Sequence, residues 1–74
     1  MTPTQYREAI ARLGLSQVAA GAFLGVAPRT SRAWALGERP VPQAVAMLLR
    51  LMVTNGIAPT HVTSVTHRQS EDRP

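Results

Sequence analysis

The chain has no cysteine and no lysine, and only one aspartate and three glutamates among its 74 residues. Without cysteine there is no disulfide to staple the fold and no thiolate to act as nucleophile or metal ligand, a usage that fits a reducing compartment. The acids, Glu8, Glu38, Glu71 and Asp72, do not make the convergent pair of carboxylates that general acid–base chemistry uses. Ser16 and Ser31 have no histidine and acid in a supportive arrangement, so nucleophilic catalysis is not expected. His61 and His67 are spaced so that a helix would send them to different sides, and a metal needs three or four convergent ligands. No glycine-rich phosphate loop is present. These absences predict a protein that is not an enzyme and has no cofactor, no metal and no small-molecule ligand. Long apolar runs are also missing: none approaches the roughly 20 residues that cross a bilayer. The opening Met1-Thr2-Pro3-Thr4-Gln5 has neither the basic stretch nor the apolar core of a signal peptide. A cytoplasmic protein with no membrane partner is expected.

What the chain does have is arginine. All eight basic residues are arginines, and the formal net charge is +4. Residues 1–57 hold six arginines against two glutamates, a net +4, while the remainder holds two charges of each sign and is neutral. The whole excess therefore lies on the part expected to fold. A chain this short makes one domain, and a domain this small buries a modest core, so it is marginal unless well packed or oligomeric.

The pattern along the chain is helical. Thr2, Pro3 and Gln5 form a capping box with proline just inside the start. Tyr6, Ile10 and Leu13 follow at i, i+4 and i+7 with Ala9 alongside, one apolar stripe on a helix ending at Gly14. Glu8 and Arg12 on its polar side suit an i, i+4 ion pair. Tyr6 is expected in the core with its hydroxyl at the surface. A second helix is predicted from about Gln17 to Leu24, capped by Ser16, whose hydroxyl can accept from first-turn amides. Its Ala19-Ala20-Gly21-Ala22 waist lets another helix come close, with Leu24 and Val26 as core contacts and Phe23 at the core edge. Gly25 sits where this helix must stop and the chain must swing away. Pro28 then opens a third helix running to about Leu36, anchored by Trp34, the only tryptophan. Gly37 ends it.

Two prolines in Arg39-Pro40-Val41-Pro42 make a stiff connector. A fourth helix is predicted from Pro42 to about Thr54. Val41, Val45, Leu48, Leu49 and Met52 line one stripe, and Ala44, Met47 and Leu51 a second. A helix apolar on two sides has more to bury than one small core can cover. The second stripe, helped by Val53 and Ile57, is therefore expected to form a dimer contact. Residues 58–74 change character and are expected to be a short extension and then a flexible tail. Val62-Thr63-Ser64-Val65-Thr66 is β-prone, which leaves a short strand as an alternative there.

The segment Leu15–Pro42 supplies two short helices around a tight turn, with arginines on the outward side of the second. That is the layout of a DNA-binding helix-turn-helix. Leu15-Ser16-Gln17, Leu24-Gly25-Val26, Thr30, Trp34, Gly37-Glu38-Arg39-Pro40-Val41-Pro42 and Leu48-Leu49 together resemble the small Cro and phage-repressor (XRE-like) regulators. The resemblance covers roughly residues 1–57. It implies an all-α, lambda-repressor-like bundle of four or five helices that binds double-stranded operator DNA, usually as a symmetric dimer that represses. It also implies roles by position. Gln17 matches a glutamine that contacts phosphate, and Thr30 a residue that touches the backbone. Pro28, Arg29, Arg32 and Ala33 occupy outward positions of the recognition helix, Ala33 offering a methyl contact to thymine, and Arg39 is placed for phosphate. Three residues depart from the pattern. Ser31 stands where a buried Val or Ile is usual, and its hydroxyl is expected to find a carbonyl one turn back. Gly21 stands where Ala is commoner, and Ala27 stands where a capping Ser or Thr is usual. Short regulators of this kind resemble those encoded beside phage or mobile-element genes, including anti-CRISPR-associated repressors and small antitoxins. The reading from another class is a protein-binding module, an antitoxin or adaptor that uses the apolar surface of the fourth helix.

Overall fold

Helix boundaries follow the capping signals. The computed structural model of the protein describes residues 1–64. It contains α1 (Pro3–Arg12), α2 (Gln17–Leu24), α3 (Pro28–Leu36) and α4 (Gln43–Asn55), then a short helical segment, α5, over 59–64, with no strand among the described residues. At α1 the capping box is complete: Thr2 Oγ1 accepts from the Gln5 amide at 3.1 Å, and Gln5 Oε1 accepts from the Thr2 amide at 2.9 Å. Ser16 Oγ accepts from the Ala19 amide at 3.0 Å and so starts α2. Gly25 ends α2 in the left-handed region, φ +74°, where a side chain would be strained. The Ala27 side chain offers α3 no cap. Pro42 stands just outside α4 as its N-cap residue, so the helix begins one position later than the sequence predicts.

The β-prone stretch near the end does not form a strand over its described part. Pro59 opens α5, where the missing N–H of a first-turn proline is no loss, and the His61 and Val62 amides donate to the Ala58 carbonyl at 3.0 and 3.4 Å. Thus local turn chemistry overrides β-propensity at Val62, Thr63 and Ser64. Val65, Thr66, His67 and the rest of the expected tail lie outside the described residues.

The core is built by one buried stripe from each long helix. Tyr6 and Ile10 of α1, Ala20 of α2, Trp34 and Ala35 of α3, and Leu49 of α4 form the central cluster, with Leu13, Leu24, Val26 and Val45 among the residues packed around it. α1 touches α2, α3 and α4, and α2 packs along α3. Trp34 is the anchor the sequence predicts, 4% exposed, and Tyr6 meets it edge-to-face with ring centroids 5.7 Å apart. Such an aromatic pair contributes about 0.5–1.5 kcal/mol beyond its buried area. The Tyr6 hydroxyl is not at the surface. The residue is fully buried, and its phenol oxygen lies 2.6 Å from Ser31 Oγ. The serine is therefore satisfied by α1 and not by a carbonyl of its own helix. On α1, Glu8 and Arg12 stand exposed without the expected ion pair.

Candidate nucleic-acid interface

Three contacts fix the inner side of α3. The first is a close approach by α2. A β-carbon on Gly21 would lie 3.3 Å from Ser31 Cβ and 3.3 Å from the Val26 carbonyl oxygen, so glycine lets the helices sit closer than alanine would. The second is the buried Tyr6–Ser31 hydrogen bond. The third is Arg7, whose guanidinium donates to the Ala35 carbonyl and, at 3.2 Å, to Thr4 Oγ1. Ala35 offers one of the last carbonyls of α3, which have no partner within the helix and carry the negative end of its dipole. A cation is well placed there. Between them α1 and α2 hold α3 in a fixed orientation, with its other side left to solvent.

That free side carries the charge. Arg29 and Arg32 are exposed at i and i+3, one face of a helix, and Pro28 is exposed beside them. Arg39 is exposed just beyond the helix end, and Thr30 and Gln17 are half-buried. The guanidinium groups of Arg29, Arg32 and Arg39 have no hydrogen-bond or ion-pair partner among the described residues. Arg29 stands on a ridge between two recesses. One is lined by Ala27, Arg29, Thr30, Ala33, Glu38 and Arg39, the other by Gln17, Val18, Pro28, Arg29, Arg32 and Leu36. The fold therefore brings Gln17, from the start of α2, beside Arg29 and Arg32, and brings Arg39 back beside Arg29. Glu38 is the one carboxylate lining these recesses. Chemically, the surface offers planar, permanently charged forks that can donate two parallel hydrogen bonds to a phosphate or to a guanine edge.

Comparison with models of protein families, with characterised proteins and with solved structures found no match. The site thus stands on its geometry.

The seven residues that the sequence singles out, Gln17, Pro28, Arg29, Thr30, Arg32, Ala33 and Arg39, all line these two recesses, but one of them offers almost no surface. Ala33 is buried, 8% exposed. Its methyl is too short to rise above Arg29, Thr30, Glu38 and Arg39. Residues 38 and 39 come back beside it, their amides donating to the Ala33 carbonyl at 2.9 and 3.4 Å, and their side chains line the same recess. The expected dimer surface also divides. Ala44, Met47 and Leu51 are exposed, the last two at 60% and 55%. Val53 instead packs against the core, and Ile57 is half-buried in a recess with Leu13, Val53 and Pro59. Two helical positions separate side chains by about 200°, so Leu51 and Val53 cannot share a face.

Sequence reasoning missed Leu36 and Arg7. Leu36 is 52% exposed at i+7 from Arg29 and i+4 from Arg32. That spacing was available in the sequence and places it on the arginine face. Arg7 gave no such signal, because its partner is a carbonyl 28 residues away. No group of three or more His, Asp or Glu side chains suited to a metal ion occurs among the described residues, and none of their helices is long and apolar enough to cross a membrane.

Proposed function

We propose that this chain is a sequence-specific, double-stranded DNA-binding transcriptional regulator. In this reading α2 and α3 form a lambda-repressor-like helix-turn-helix, and α3 enters the major groove. The observation that carries it is the convergence of Arg29, Arg32, Arg39 and Gln17 on the free side of a helix whose other side is locked. Arg29 and Arg32 read base edges, each bidentate arginine–guanine pair giving about 1–3 kcal/mol of discrimination. Gln17, Thr30 and Arg39 hold phosphates and set the register. A second copy joined through Ala44, Met47 and Leu51 makes a symmetric dimer, whose half-sites lie about 34 Å apart in an inverted repeat. Its simplest use is repression, including of its own gene, with activity set by protein concentration. The protein then works at the nucleoid, in the cytoplasm.

The test is a gel shift on the DNA upstream of its own gene, at two salt concentrations and against random competitor. Competitor-resistant binding that weakens with salt is expected, with log K falling by about 0.9 per log unit of salt for each phosphate neutralised. Arg29→Ala with Arg32→Ala should abolish the shift while leaving the thermal melt unchanged, since both side chains are exposed and unpartnered. An unaffected shift in that double variant sinks the site assignment.

One observation favours a second reading. Met47 and Leu51 line an apolar recess on α4 with Leu48 and Arg50, and a partner protein could occupy it in place of a second copy. In that protein-binding module the double alanine variant keeps full function and Leu51→Glu loses it.

A further inference from the structure

The recess between α2 and α3 is not uniformly polar. Beside Gln17, Arg29 and Arg32 it presents Val18, 63% exposed, and Leu36, 52% exposed. Exposed aliphatic groups on a face of this charge call for an explanation. No carboxylate lines this recess, so its charge suits a polyanion. Phosphate offers an aliphatic side chain nothing. The major-groove edge of duplex DNA carries one apolar group, the C5-methyl of thymine. Leu36 follows Arg29 by seven residues and Arg32 by four, so it shares their side of α3. Val18 lies one residue past Gln17 and closes the recess from α2.

Resting on the DNA-binding reading above, we propose that Val18 and Leu36 form a thymine-methyl site, and that the operator half-site carries a thymine next to the base pairs met by Arg29 and Arg32. The methyl contact that the sequence suggests for Ala33 thereby passes to Leu36, because Ala33 is 8% exposed and Leu36 is 52% exposed. The arginines read guanine by hydrogen bonds, and the aliphatic pair adds a base-specific term without any. It discriminates thymine from cytosine, which lacks the methyl.

The experiment begins with the full chain and a random-sequence duplex library, from which tight binders are selected. The selected site is then remade with deoxyuridine replacing each thymine in turn. This change deletes one methyl and leaves every hydrogen-bonding group in place. Loss of a contacting methyl should weaken binding about fourfold, the effect of failing to bury one methyl-sized group. The same deficit should vanish in Val18→Ser with Leu36→Ser, whose affinity for the thymine site should match that of wild type for the uracil site. A thermal melt checks that these exposed substitutions leave the fold intact. If no uracil position weakens binding, or if the serine variant keeps the deficit, the methyl site is wrong while DNA binding stands, and the aliphatic pair serves a protein contact. If no sequence is enriched over competitor, both this inference and the DNA-binding reading fall.

Discussion

Separating Tyr6 from Ser31 should loosen α3, and the two halves of the pair should not cost the same. Both residues are fully exposure-free, and their oxygens lie 2.6 Å apart. Removing one partner leaves a buried hydroxyl unsatisfied, at about 1–3 kcal/mol. In Ser31→Ala the tyrosine hydroxyl has nowhere to turn, since it sits at the end of a rigid ring packed against Trp34. We expect a loss of about 2 kcal/mol. In Tyr6→Phe the serine has an alternative, because a helical serine can donate to the carbonyl one turn back, here that of Ala27. We expect about 1 kcal/mol. The double variant removes both hydroxyls and leaves nothing unsatisfied, so its loss should be smaller than the sum by about 1 kcal/mol. For a chain of this size 1 kcal/mol moves the melting point by about 4–8 °C. Thermal and urea melts at equal protein concentration read all four corners of the cycle. Strict additivity, or a Tyr6→Phe loss larger than that of Ser31→Ala, refutes the reasoning.

Three further substitutions test other parts of the framework. Ala27→Asp should stabilise by about 1 kcal/mol, because α3 starts without a side-chain cap and its first-turn amides would gain one, again read by melting. Gly21→Ala should destabilise by about 1 kcal/mol despite alanine's better helix propensity. The new methyl meets a backbone carbonyl and a serine held by Tyr6, neither of which is free to give way, and crowding of this kind costs about 1–3 kcal/mol. A stabilised Gly21→Ala protein would show that α2 and α3 can spread. If the proposed dimer forms through α4, Leu51→Glu should leave only monomer in sedimentation and weaken the proposed DNA binding. It should leave the monomer folded, since the residue is 55% exposed and outside the core.

How much of this was legible beforehand depended on how local the physics was. Helix ends are decided by the residues flanking them. The capping box at Thr2, the cap at Ser16, the left-handed Gly25 and the uncapped start at Ala27 were all readable as sequence. The α4 stripe likewise gave Leu49 and Met52 as core, and the lone tryptophan gave Trp34. What escaped was set by partners distant along the chain. Nothing near Ser31 names a phenol 25 residues upstream as its partner, and nothing near Arg7 names the carbonyl of Ala35. Ala33 escaped for another reason. Its position faces outward, but a methyl is short, and beside Arg29, Thr30, Glu38 and Arg39 it keeps little exposed surface. At the candidate site, spacing located the arginines, yet the company they keep came only from the fold.

Two of the three departures from the family-like pattern form one physical unit. Gly21 and Ser31 are both smaller than the residues expected there, and they meet where α2 crosses α3. A Val or Ile at 31 would fill the space taken by the serine and offer nothing to the Tyr6 hydroxyl. The small glycine, the serine and the buried tyrosine are thus mutually required. Changing Ser31 alone to Val should be worse than changing it to Ala, because it adds bulk against Gly21 and still strands the phenol. Ser31→Val with Tyr6→Phe should recover the polar part of that loss and keep the steric part. If the pair of changes restores full stability, the crowding at Gly21 is not a constraint. If it restores none, the cost lies in packing and the hydrogen bond contributes little to the placement of α3.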